Sequence, residues 1–344
     1  MPAISYYPGM NYNSIKYFII FVITAFLCYP LIGYTQISFQ PYQTISTGSR
    51  AQVVCINDIN NDGLNDVVLG TGYSWLPQTD YKIFVYLQDS LGGLSNPVLY
   101  PYPNQAGGIN TMTIDDVNND FLNDIIIGAG DNIYIFYQNS SGTLNAPMSY
   151  YSGEHVYSLK TGDLNNDGLK DIAVSHWDTT LIKIFYQATV GFSQIELVKP
   201  QSGYDEIDVA DINNDGLDDI VFMVGSYMGG IHVYTQNSSG SMNNFVSYFP
   251  TQVIFNMLHG IALGDLNNDG KNDVVASHGG NTPTSDLAIW YQDSVSSLLQ
   301  SPPVLVPAYD IPEPIEISDL DCNNRNEIIT VHGGWNKVSV YETG

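Results

Sequence analysis

The most specific chemistry in the chain lies in one nine-residue phrase, Asp58-Ile59-Asn60-Asn61-Asp62-Gly63-Leu64-Asn65-Asp66. Asp58, Asn60, Asp62 and Asp66 put side-chain oxygens at positions 1, 3, 5 and 9 of a tight loop, and the carbonyl of Leu64 adds another at position 7. A hard divalent cation takes six to eight oxygens at about 2.3–2.6 Å, and calcium suits this set better than magnesium, which keeps its waters. Gly63 supplies the sharp turn, because glycine adopts positive φ without steric cost. The first six residues follow the logic of an EF-hand loop. The closing acid, however, comes at position 9 instead of 12, and the flanks are β-branched and apolar instead of helical. A cation site between two strands is therefore predicted.

The phrase returns five times, at intervals of 58, 47, 48, 54 and 54 residues. The second copy offers Asp116, Asn118, Asp120, Leu122 and Asp124, and the third Asp163, Asn165, Asp167, Leu169 and Asp171. The fourth offers Asp211, Asn213, Asp215, Leu217 and Asp219, and the fifth Asp265, Asn267, Asp269, Lys271 and Asp273. A single DxNxDG can also be read as a solvated turn rich in Asp and Asn, but near-identical repetition favours the metal. Two copies depart from the pattern. Phe121 replaces the glycine of the second, so its turn is strained or rearranged. The sixth has Asp319, Asp321, Asn323, Asn324 in the glycine position and Glu327. Loss of the position-5 charge makes it the weakest site or none; asparagine does tolerate the left-handed conformation.

Self-similarity at this period means a repeat architecture. The phrase, its closing run Val67-Val68-Leu69-Gly70 and its spacing resemble the FG-GAP (VCBS-type) repeats of integrin alpha-chain heads and of many secreted bacterial proteins. The resemblance covers residues 37 to 344. It implies that each repeat is one four-stranded blade of a β-propeller, with calcium in the loop between strands 1 and 2 at the positions named above.

The segments between the phrases fit that architecture. Lys82–Tyr86, Ile133–Tyr137, Ile182–Tyr186 and Ala288–Tyr291 are β-branched and aromatic third strands, and turns such as Asn139-Ser140-Ser141-Gly142 lead to the fourth. Ile37–Pro41 resembles a fourth strand without its blade, while the sixth phrase is followed only by a second strand, Ile328–Val331, and a third, Lys337–Tyr341. The two ends together complete one blade and cover exposed sheet edges. The expected fold is all-β: six antiparallel blades closed by the N-terminal strand, or seven if a longer precursor is truncated here.

Residues 1 to 36 read as a signal peptide, with Lys16 before the apolar run Tyr17–Leu27 and breaks at Pro30 and Gly33; an uncleaved anchor is the alternative. The formal charge is −25, and 18 of the 35 acids sit at three positions in each of the six loops. Such acidity argues against nucleic acid or an anionic membrane as partner. After leader removal, Cys55 and Cys322 remain, too few for a disulfide framework.

In antiparallel blades the 2–3 and 4–1 loops lie on the face opposite the cation loops. That face collects Tyr73, Trp75, Trp177, Tyr227 and Trp335, flat side chains that can stack on sugar rings or anchor a protein, or simply cap the blade ends. His176, His278 and His332 fall there too, in separate blades and without the spacing of a zinc site. No nucleophile elbow, zinc-protease motif or carboxylate pair separate from the cation loops occurs, and only ten Lys and Arg are present. The expected protein is a secreted, monomeric, calcium-binding propeller that recognises glycan or protein. A polysaccharide lyase or hydrolase, and a scaffold for another domain, are the alternatives.

Overall fold

Short runs of β-branched and aromatic residues, punctuated by Asp, Asn and Gly, can bury their apolar side chains only by pairing as strands. In the computed structural model of the chain, every regular element among the described residues is accordingly a β-strand. The structure describes residues 46–343 apart from 73–75, 105–106, 178, 190, 201–202, 204–205, 224–229, 250–257, 279–284, 294–298, 311 and 333–336. All of them lie in one compact unit, Thr44–Gly344.

First strands are Ala51–Asn57, Ile109–Asp115, Val156–Gly162, Ile207–Ala210, Leu258–Gly264 and Pro312–Ser318. Second strands, each opening on the closing acid of its phrase, are Asp66–Thr71, Asp124–Ala129, Asp171–His176, Asp219–Met223, Asp273–His278 and Glu327–His332. Third strands are Lys82–Tyr86, Asn132–Phe136, Leu181–Gln187, Ile231–Tyr234, Asp286–Trp290 and Lys337–Tyr341. Fourth strands follow in the first five blades: Val98–Pro101, Met148–Tyr151, Phe192–Val198, Val246–Tyr248 and Val304–Pro307. Within each sheet the strands pair antiparallel in chain order, and the fold is a six-bladed β-propeller. Among the described residues the sixth blade has three strands. The expected closing strand at 37–41 and the leader at 1–36 lie outside them.

Each sheet has two apolar faces, so the core is not a single centre but a series of layers between neighbouring blades. Ile59, Val68 and Ile83 of blade one pack on Ile109, Ile125 and Ile127 of blade two, and four similar layers follow. Burial on both faces explains why the second strands read as unbroken apolar runs where a half-exposed strand would alternate. The exception is the junction between the last blade and the first. Val54 and Ile56 are 59% and 65% exposed there and Val338 is 62% exposed, whereas Met112, Leu159, Ile207, Ile261 and Ile315, which correspond to Val54, are all buried.

Candidate metal centre

All six loops follow one backbone path. Position 4 is left-handed in every copy, with Asn61, Asn119, Asn166, Asn214, Asn268 and Cys322 at φ 59–61°. Position 6 is left-handed too: Gly63, Gly168, Gly216 and Gly270 lie at 81–85°, Phe121 at 65° and Asn324 at 63°. Sequence reasoning assigned the turn to position 6 alone. The signal for position 4 was the second asparagine of Asn-Asn-Asp, the residue type that enters this region most readily after glycine.

Between these two turns the oxygens face inward. In the first loop Asp58 accepts from the amides of Asp62 (3.1 Å) and Gly63 (2.8 Å), Asn60 accepts from Asp62 (3.0 Å), and Asp62 accepts from Leu64 (2.9 Å). The same pattern surrounds Asp116, Asp163, Asp211, Asp265 and Asp319. In the fifth loop the amide of Lys271 donates to Asp269 at 3.1 Å, so a lysine at position 7 keeps the backbone path. Positions 1, 3 and 5 are thus gathered in each loop by its own amides.

The closing acid is anchored differently. Asp66 accepts from Ile59 N (2.9 Å) and, across the blade, from Gln88 N (2.8 Å). Asp124, Asp171, Asp219 and Asp273 repeat both bonds, and all five are fully buried. Burial pushes the carboxyls of Asp124, Asp171 and Asp219 up to about 7 and that of Asp273 to about 6, against the pull of the backbone bonds; the loop's other aspartates push the same way. A carboxylate oxygen has two lone pairs, so accepting one amide leaves capacity for a cation. The donor set and its unbalanced negative charge fit calcium, whose charge would reverse the upward shift.

The departures resolve in physical terms. Phe121 does not rearrange its loop: the left-handed path is kept with the ring 83% exposed, so strain is the outcome. A left-handed non-glycine residue costs roughly 1–2 kcal/mol. Phe121→Gly is therefore expected to raise stability by about 1 kcal/mol, measured by urea unfolding, since the exposed ring gives up little packing. In the sixth loop Asp321 at position 3 restores the charge that Asn323 removes, so its acid count equals that of the other loops and the charge argument for ranking it weakest fails. Its Asp319, Asp321 and Glu327 oxygens all lie within 4.8 Å of one another, the one such trio of acids among the described residues.

Of the aromatic residues expected on the opposite face, Tyr73, Trp75, Tyr227 and Trp335 lie outside the described residues. Trp177 is 40% exposed, held edge-on by the rings of His155 (5.3 Å) and Tyr157 (6.0 Å). Near it a cavity of about 170 Å³ is lined by Ser152, Glu154, His176, Thr179, Lys183 and Glu196 among others. Ser152 Oγ lies 2.6 Å from His176 Nε2, the spacing of a nucleophile and its base. Burial lowers that imidazole to about 4, however, which makes it a poor base at neutral pH. His332 is likewise enclosed, between Asp310 O (3.0 Å) and Ser339 Oγ (2.8 Å). These two histidines tie strand ends together. The side chain of His278 lies outside the described residues.

Sequence reasoning also missed a polar cluster on the first strands. Lys160 Nζ is 3.5 Å from Asp208 Oδ1, and Ser158 donates to Glu206 at 3.0 Å. Asp208, Glu316 and Glu206 together raise the Lys160 ammonium. Both cysteines among the described residues are free: Cys55 donates to Met112 O at 3.2 Å and burial pushes its thiol up to about 11, while Cys322 is exposed.

Comparison with known proteins places four of the six loops in a repeat family. The FG-GAP-like repeat family matches residues 116–174 and 211–276. Human integrin alpha-7 is 28% identical over 171 residues, which are 43% of this chain and 14% of the integrin, so the chain spans a small part of that relative. Among solved structures, an Agrocybe aegerita lectin that recognises non-reducing terminal N-acetylglucosamine superposes with a TM-score of 0.59 at 16% identity, covering 86% of this chain and 81% of the lectin. Virginiamycin B lyase from Staphylococcus aureus superposes with a TM-score of 0.51 at 14% identity, covering 85% and 80%. Likeness at these identities shows the fold alone.

Proposed function

We propose that this chain, an FG-GAP-repeat propeller similar to integrin alpha chains, is a calcium-stabilised recognition module. Calcium, held at about five of the loops, is structural; the face opposite them binds an extracellular glycan or protein. The observation that carries this reading is the division of labour between the two faces. The loop oxygens are turned inward on one, while the other presents Trp177, a large ring fixed by two aromatic neighbours and still 40% exposed. Tyr and Trp combine apolar area with a polar tip and dominate recognition surfaces. Secretion to the extracellular space or cell surface, cleavage of residues 1–36 and a monomeric state belong to the same reading. A catalytic role is not part of it: the Ser152–His176 pair beside the cavity is buried and its histidine is held neutral.

The test is retention of residues 37 to 344, in millimolar calcium, on immobilised polysaccharides and extracellular-matrix proteins. Selective retention that Trp177→Ala reduces at least tenfold is the expected result. Retention on none of these surfaces would turn the reading to a scaffold that presents another domain.

A further inference from the structure

The cation loops are not independent of one another. Asn123, at position 8 of the second loop, donates to the carbonyl of Asp58, at position 1 of the first, at 2.7 Å. Asn272 of the fifth loop does the same to Asp211 O of the fourth at 3.0 Å, and Asn326 of the sixth to Asp265 O of the fifth at 2.9 Å. Between the third and fourth loops the polarity inverts: Asp218 at position 8 accepts from the amide of Asp163 at 2.9 Å. The residue so gripped is in every case the position-1 aspartate, whose carboxylate orders the loop amides.

A second set of side chains strengthens some of these links. Gln138 and Gln236, which follow third strands, donate to the carbonyls of Ile59 and Asp163 in the preceding loops. Asn61 Nδ2 also reaches Phe121 O of the next loop at 3.0 Å. One junction differs. Position 8 of the third loop is Lys170, and among the described residues no bond from Lys170, or from the side chain of Gln187, the counterpart of Gln138, reaches the second loop.

We propose that the position-8 side chain positions the metal loop of the preceding blade. The calcium-holding loops among three to six then act as one coupled group and loops one and two as a separate pair, with the break at Lys170. A carbonyl or amide fixed from the neighbouring blade pre-orders the loop, so part of the ordering cost is met before the ion binds, and order in one loop favours order in the next. This inference rests on calcium binding by the loops as proposed above, and extends it to residues that are not themselves ligands.

Glycine amides report the loops one by one, because Gly63, Gly168, Gly216 and Gly270 each donate to their position-1 carboxylate at 2.8 Å. Full-length chain labelled with ¹⁵N-glycine is titrated with calcium and the midpoint read at each amide by NMR. Asn272→Ala is expected to raise the midpoint at Gly216, in the other blade, by roughly fivefold, the worth of one net hydrogen bond. Gly63 should stay within twofold of its original value. Asn326→Ala should do the same at Gly270, so the test does not depend on one variant folding. A shift confined to Gly270 in Asn272→Ala, or an equal shift at all four glycines, would overturn the coupling while leaving metal binding intact. Glycine amides that ignore calcium in the unmodified chain would overturn the metal reading itself, and the coupling with it.

Discussion

Chelation of calcium is expected to lower the melting temperature of the propeller by roughly 10–20 °C, as read by calorimetry. A site held at ten times its dissociation constant contributes RT ln 11, about 1.4 kcal/mol, so five such sites give about 7 kcal/mol. Each kcal/mol moves the midpoint by about 2–4 °C in chains of 150–250 residues, and somewhat less in a longer one. The pH dependence identifies the cause. Without metal, burial raises the Asp124, Asp171 and Asp219 carboxyls to about 7 and Asp273 to about 6. An unfolded aspartate titrates near about 3.9. Between those values the folded chain holds protons that the unfolded chain has released, so metal-free stability falls as pH rises from about 4 to about 7. Calcium requires the carboxylates ionised, so stability of the loaded protein falls as pH drops through the same window. Melting series in chelator and in calcium should therefore slope in opposite directions. An unchanged melting temperature in chelator, or parallel slopes, would sink the metal assignment.

The second large effect needs no metal. Asp171→Ala is expected to destabilise the chain by about 2–5 kcal/mol even in chelator. Alanine leaves the Leu164 and Gln187 amides buried without their acceptor, at 3.0 and 2.8 Å in the intact structure, and each unsatisfied buried donor costs about 1–3 kcal/mol. Asp167→Ala in the same loop provides the contrast. Asp167 is exposed and, among the described residues, its side chain accepts only from the amide of Leu169, so its loss should be felt mainly when calcium is present. Urea unfolding of both variants, with and without chelator, separates the two roles. Equal losses for both in chelator would contradict the division between an outer ligand and an inner anchor.

That division also marks how far the sequence could be read. Spacing of the six phrases is enough to place the blades, because each phrase must sit in the turn between a first and a second strand, and the third strands declare themselves by aromatic and β-branched runs such as Lys82–Tyr86. Inward-pointing oxygens at positions 1, 3 and 5 follow from the residue types. Three things do not. The left-handed position 4 hides behind an asparagine that also looks like a ligand. The double role of Asp66 and its counterparts depends on Gln88 and its equivalents, brought in by the return of the third strand. Links such as Asn272 to Asp211 O join residues 61 apart, and only the packing of blade against blade creates them. Cys322 at φ 59° shows the limit from the other side, since a thiol carries no hint of the backbone conformation it occupies.

Because every cation loop lies between a first and a second strand, 18 of the 35 acids are gathered on a single rim. The molecule is consequently an electric dipole, and a field acts on it as a torque. Near a negatively charged polysaccharide or cell surface the acidic rim would turn away and the face that bears Trp177 would lead, at ranges set by a Debye length of about 8 Å at physiological ionic strength. Each ion bound exchanges three negative charges for one. Calcium would thus weaken the orienting torque while it stiffens the blades, so a molecule in calcium-poor fluid would approach such a surface strongly aligned but loosely folded, and one in calcium-rich fluid firmly folded but free to tumble.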